Sequence, residues 1–230
     1  MTASEFRAVN LRHNVEWFRG LEPREMDLVF AAAKPRRFPA RSVITFQGDP
    51  ADRFLLMWDG RARYFFETPS GKKVILMWIA PGDIFGAAAL VSRPSSYLTS
   101  TEAVRDSVVL VWERSAIRAL ARRFPQLLEN TLQFATDYFR WYVAAHAALI
   151  SQTARERLAH VLLGLAQSVG QKASGGVEID VTNEELANSA NITPYTTSRM
   201  ISNWQRNGAI RKRRGKILLR SPERFFLRVV

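Results

Sequence analysis

Apolar and polar positions alternate with three different periods along the chain. Early on, Leu11, Val15, Phe18 and Leu21 fall on one helical face, and Pro23 before Arg24-Glu25-Met26 is placed to open a helix, so residues 1–35 read as a helical lead-in. From residue 38 to 112 the period shortens. Runs at 41–46, 53–58, 61–66, 73–79, 97–104 and 107–112 are rich in β-branched and aromatic residues, with Gly48, Gly60, Gly71, Gly82 and Gly86 between them. Turn signals recur at Gly48-Asp49-Pro50, Asp59-Gly60 and Pro81-Gly82-Asp83, the spacing of a β sandwich or barrel.

Helical periodicity returns after Trp112, with a short helix at 115–123 and a long one opening at Pro125. Two stripes run along the long helix. One is Leu127, Thr131, Phe134, Tyr138, Trp141, Ala145 and Ala148; the other is Leu128, Leu132, Ala135, Phe139, Tyr142, His146 and Leu149. Together they are too wide for a single contact, so the helix is expected to pack on its own β domain and on a second chain. Residues 150–152 read as a hinge, 153–169 as a helix, 170–176 as a flexible loop and 177–181 as a strand.

Residues 182–220 then read as two helices joined by a tight turn and followed by a basic hairpin. Thr182 and Glu185 have capping-box spacing, Asn191 suits a left-handed turn, and Thr193-Pro194 restarts a helix. Thr197, Met200, Ile201 and Trp204 mark its inner face. The outer face carries Tyr195, Thr196, Ser198, Arg199 and Ser202, short polar groups and an arginine suited to base edges in a major groove.

The charge supports that reading. The 230 residues carry a net +12, and residues 182–230, with ten Lys/Arg against three Asp/Glu, hold +7 of it. A basic excess behind such a helix pair fits the phosphate backbone of nucleic acid. With 47% hydrophobic residues the chain can build real cores. It has no cysteine, which excludes disulfides, Cys-ligated zinc and Cys-held iron–sulfur clusters. No stretch near the N-terminus resembles a signal peptide, and the densest apolar run, 142–150, is broken by His146. A cytoplasmic, non-enzymatic protein without membrane contact is expected.

The ordered set Thr182, Glu185-Leu186-Ala187, Thr193, Ser198-Arg199, Gly208, Ile210 and 215–219 resembles the winged helix-turn-helix of Crp/Fnr-type transcription regulators. The short-strand region resembles the cyclic-nucleotide-binding β-roll that precedes it in that family. The resemblance implies an α+β chain in three parts: a β-roll sensor with helical lead-in (1–123), a dimerisation helix (124–150) and a winged helix-turn-helix (151–230). It implies a homodimer on a palindromic operator, joined through Leu127, Phe134, Tyr138, Trp141, Ala145 and Ala148, with RNA polymerase as a further partner. Thr193, Tyr195, Thr196, Ser198, Arg199 and Ser202 would face bases and nearby backbone, with Arg199 on a guanine. Arg206, Arg211, Lys212, Arg213, Arg214 and Lys216 would neutralise phosphates.

The effector is narrowed mostly by exclusion. Family members that bind cAMP use a Gly-Glu-x-x-Leu turn followed by an Arg-Ser or Arg-Ala pair. Here the turn reads Gly86-Ala87-Ala88-Ala89-Leu90, and the arginine position falls on Tyr97, so no response to cAMP is expected. Residues 38–112 hold no histidine for a cupin-like metal centre. The recognition helix resembles the nitric-oxide-responsive NnrR/Dnr type, with Tyr195 where Fnr-like helices carry glutamate. That type implies a role in denitrification or anaerobic metabolism and a haem cofactor, for which His13 is the candidate ligand; His146 and His160 read as interface and structural residues. Two alternatives stay open: a ligand-binding module acting through protein partners, and a Crp/Fnr regulator with another effector or none.

Overall fold

The structure is a computed structural model describing residues 15–71, 73–91, 93, 95–213 and 215–225. His13 and Arg214 therefore lie outside the described residues. The chain divides into two compact units; one division falls inside the longest helix, between Trp141 and Tyr142, and the short segment Gly71–Met77 groups with the second unit.

The first unit is a β-roll with helices. Helix α1 (Pro23–Ala31) opens at the expected proline, and a capping box between Glu22 and Glu25 holds its N-terminus. Eight strands follow: β1 (Lys34–Phe38), β2 (Val43–Thr45), β3 (Arg53–Asp59), β4 (Ala62–Glu67), β5 (Lys73–Ile79), β6 (Ile84–Phe85), β7 (Ser100–Ala103) and β8 (Ser107–Glu113). They form two four-stranded sheets, ordered β1-β8-β3-β6 and β2-β7-β4-β5. Six of the strands match the expected runs to within a few residues. Strands β1 and β6 fall outside those runs. β1 has the sequence Lys-Pro-Arg-Arg-Phe and four exposed residues, and it pairs only with β8, as an edge strand that tolerates Pro35.

Strand β3 shows how the layers are built. Leu55 and Met57 point between the sheets, with Ile44, Ile79, Phe85, Val109 and Val111. Phe54, Leu56 and Trp58 point the other way, into a cluster with Trp17, Phe18, Val29, Trp112, Ile117 and Leu127. Both faces are covered, so the strand is apolar almost throughout. Each fully buried large side chain contributes about 1.5–3 kcal/mol. Polar ties fix the layers laterally: the Trp112 indole donates to the Val29 carbonyl at 2.8 Å, and that of Trp17 to the Thr131 hydroxyl at 2.9 Å.

Helix α2 (Arg114–Arg123) leads into the long helix α3 (Gln126–Ser151). The stripe assigned to dimer contact needs correction at its start. Leu127 is completely buried in its own roll's cluster, and Phe134 packs against the same cluster. These two side chains are held by their own chain because the roll lies on that side of the helix. The other stripe is open along its length, with Leu132 68% exposed, Phe139 64%, and Leu128, Tyr142 and Leu149 also exposed, and Trp141 of the first stripe is exposed as well.

The second unit begins within α3. Thr153 caps helix α4 (Ala154–Val169), and its box partner is Glu156. The segment expected to be a flexible loop instead forms strand β9 (Gln171–Ala173), which pairs with β10 (Gly176–Asp180). Helices α5 (Asn183–Ala190) and α6 (Pro194–Arg206) follow, then strands β11 (Ile210–Arg213) and β12 (Lys216–Leu219). The sheet order is β11-β12-β10-β9. Among the described residues no helix is long and apolar enough to cross a membrane.

Candidate nucleic-acid interface

Helix α5 is set by the capping box expected from sequence: the Thr182 amide donates to Glu185 Oε2 at 2.8 Å, and the Glu185 amide donates to the Thr182 hydroxyl at 3.2 Å. Its end is equally local. Asn191 adopts φ 49°, ψ 55°, and the Ile192 amide reaches back to the Ala187 carbonyl at 3.0 Å. Thr193 then caps α6, accepting from the Thr196 amide at 3.1 Å, while the two threonine hydroxyls bond each other at 2.9 Å.

The faces of α6 are sharply divided. Thr197, Ile201 and Trp204 are buried, and Trp204 packs against Phe225 with ring centroids 4.6 Å apart and the rings tilted by 42°. Tyr195, at 77% exposure, projects outward with Ser198, Arg199, Ser202 and Arg206. Arg199 and Arg206 have no polar side-chain partner among the described residues, so both guanidinium groups are free to meet a ligand. Thr193 and Thr196 form the cap that opens α6, and Thr193 is exposed there.

The basic residues of the wing fall on two faces. In β11 and β12, Ile210, Ile217 and Leu219 are buried. Arg211, Arg213, Lys216 and Leu218 lie on the other side, where they line one hollow with Glu178. Arg211 and Arg213 are unpaired among the described residues. Lys216 is not: its amine lies 2.7 Å from Glu178 and 3.4 Å from Asp180, and the hydrogen bond to Glu178 raises its pKa. Lys212 alternates to the helix side, and its amine donates to Asn183 Oδ1 at 2.9 Å. The sequence had grouped all of these cations. Strand alternation, readable from Ile210 onward, separates them.

In the roll, the turn that follows β6 is built around Gly86. Its φ of 73° suits glycine, and a Cβ there would lie 2.7 Å from the Arg53 carbonyl oxygen. The Gly86 amide donates to the Tyr64 hydroxyl at 3.3 Å. Tyr97 is buried beside it; its hydroxyl accepts from the Arg53 amide at 3.1 Å and donates to the Arg53 carbonyl at 3.0 Å. Burial raises the pKa of both tyrosines. In the sequence Tyr97 reads only as a missing arginine, and nothing local distinguishes Tyr64. Ala89 of the same turn is fully buried.

Among the described residues, no cluster of three or more His, Cys, Asp or Glu side chains is placed to hold a metal ion. The two described histidines are engaged elsewhere: His146 stacks on Tyr142, and His160 Nδ1 lies 2.9 Å from Gln152 Oε1. Neither fits a haem site in the roll.

Residues 35–124 match the cyclic nucleotide-binding domain model, and residues 156–225 match the Crp-like helix-turn-helix domain model. The chain is 27% identical to a CRP-like cAMP-activated global transcriptional regulator of Mycobacterium tuberculosis, over 90% of this chain and 93% of the relative. It is 28% identical to the cyclic AMP receptor protein of Thermus thermophilus, over 88% and 91%. Its fold is shared with FixK2 of Bradyrhizobium japonicum, at TM-score 0.73 and 23% identity, covering 84% of this chain and 95% of that one. These relatives are regulators, not enzymes. A nucleotide-binding-type roll, a long helix and a Crp-like reading domain, in that order across the chain, place it in the Crp/Fnr family of DNA-binding transcription regulators.

Proposed function

We propose that the protein is a homodimeric, cytoplasmic regulator that reads palindromic promoter sites, works with RNA polymerase and does not answer to cAMP. The observation that carries the DNA-reading part is the divided face of α6. Tyr195, Ser198, Arg199, Ser202 and Arg206 stand free on one side while Thr197, Ile201 and Trp204 anchor the other. Arg199 has the fork needed for guanine O6 and N7. Arg211 and Arg213 supply unpaired charge for phosphate, whereas Lys212 and Lys216 reach it only by giving up partners of their own. The open stripe of α3, through Leu128, Leu132, Phe139, Tyr142 and Leu149, supports a second copy as the partner of that helix.

Two absences of charge and one occupied donor support independence from cAMP. Ala87 brings no carboxylate to the turn, Tyr97 brings no cation, and the Gly86 amide already serves Tyr64. A nucleotide phosphate in that place would lack its counter-charge. The finer assignment, to nitric oxide and denitrification, is supported by Tyr195 ahead of Ser198-Arg199 and by the NnrR/Dnr resemblance. It would seat haem on His13.

One titration tests the core of the proposal. Anisotropy of a labelled palindromic operator, followed against salt, should show specific binding whose affinity falls steeply as salt rises. A protein acting only through protein partners would show no such binding. For the effector, the absorption spectrum with haem should respond to nitric oxide, and the response should vanish in His13→Ala. An unchanged spectrum in that variant removes the haem assignment.

A further inference from the structure

Two residues separate the end of α3 from the start of helix α4, and Arg157 lies in the first turn of α4. Its guanidinium addresses carbonyl oxygens beyond or at the ends of two other helices. Nη1 donates to Gln152 at 2.8 Å, just past the last turn of α3. Nε donates to Ala190, the last residue of α5, at 3.0 Å, and Nη2 faces Asn191 at 3.5 Å. Carbonyls at these points have run out of intrahelical donors, and the C-terminal end of a helix favours a cation. The same Gln152 is held by its side chain too, through His160. Recognition helix α6 is capped by Thr193, two residues after Asn191. A single planar group therefore ties the exit of the long helix to the turn from which the recognition helix departs.

We propose that Arg157 is a positioning residue that sets the operator spacing the protein accepts. The proposal rests on the dimeric reading given above. If α3 joins two copies, any slack between Gln152 and the α5–α6 turn lets each recognition helix shift against its mate. One added base pair moves a half-site by about 3.4 Å and rotates it by roughly 35°. Only a guanidinium can serve three carbonyls in one plane; lysine keeps the charge and loses the fork.

The test uses the full-length protein and a palindrome obtained by in vitro selection, with its spacer unchanged, lengthened or shortened by one base pair, beside a single half-site. Wild type should prefer its own spacing by about tenfold or more, and Arg157→Lys and Arg157→Gln should reduce that preference to about threefold or less. Half-site affinity, which reports a folded reading head, should stay within about twofold in both. Arg155→Met is the comparison variant. Arg155 donates to the Phe225 carbonyl and lies over Trp204. It should lower the melting temperature and keep the spacing preference. Full spacing preference in both Arg157 variants, full rescue by lysine, or an equal loss on half-site and palindromes overturns the proposal. A wild-type protein indifferent to spacing overturns the dimeric reading itself.

Discussion

The Tyr97 hydroxyl holds both the amide and the carbonyl of Arg53, at 3.1 and 3.0 Å. The contact closes the roll where the family's nucleotide-binding pattern would place an arginine. Tyr97→Phe keeps the ring and strips both bonds, leaving two backbone groups unpaired. The expected cost is about 1–3 kcal/mol of roll stability. Thermal melts of the two proteins measure it, and equal melting temperatures would contradict the assigned bonds.

Alkaline pH should weaken the same region. Burial raises the pKa of Tyr64 and Tyr97 above the ordinary tyrosine value. With the folded value raised, the stability these groups contribute is complete below about pH 10 and is lost as pH climbs through the folded pKa. Unfolding followed by tyrosinate absorbance should therefore show a late, cooperative step. Tyr64→Phe should make that step smaller.

On the reading head, Arg199→Ala should cost about 1–3 kcal/mol on the preferred operator and relax discrimination at one guanine per half-site. Competition among operators with single base changes reads this directly. Unaltered base preference would exclude Arg199 as the guanine reader.

Arg213 and Lys216 share one face of the wing but differ in pairing, which predicts unequal salt effects. Arg213→Ala should flatten the salt slope by about 1, as expected for a lost phosphate contact. Lys216→Ala should change it by less than half as much, because Glu178 and Asp180 already share that amine. Equal changes would mean that DNA draws Lys216 away from its carboxylates.

The long helix separates folding from assembly. Leu127→Ala removes a completely buried side chain and should destabilise the roll by about 2–5 kcal/mol. Leu132→Glu alters an exposed position, so the fold should persist while sedimentation shifts toward monomer. A dimer unaffected by Leu132→Glu would move the interface off this stripe.

Local chemistry was the legible part of this chain. Thr182, Glu185, Asn191 and Thr193 each act within a few residues of themselves, so their caps and turn could be read before any tertiary contact was known. Strand β1 was not legible, because Lys34 to Phe38 has neither alternation nor apolar character and owes its conformation to β8. The two stripes of α3 look equivalent in sequence; only the position of the roll decides that Leu127 is claimed by its own chain. Tyr97 was visible as a substitution, but its bonds to Arg53 depend on a neighbour 44 positions away.

Among the described residues Arg157 bonds only main-chain oxygens, those of Gln152, Ala190 and Asn191. Every residue type offers the same oxygen, so in descent these three positions can change without disturbing the tie, whereas Arg157 has no substitute. Such a residue leaves no correlated partner in a set of related chains. Its role would be invisible to any comparison that looks for positions changing together.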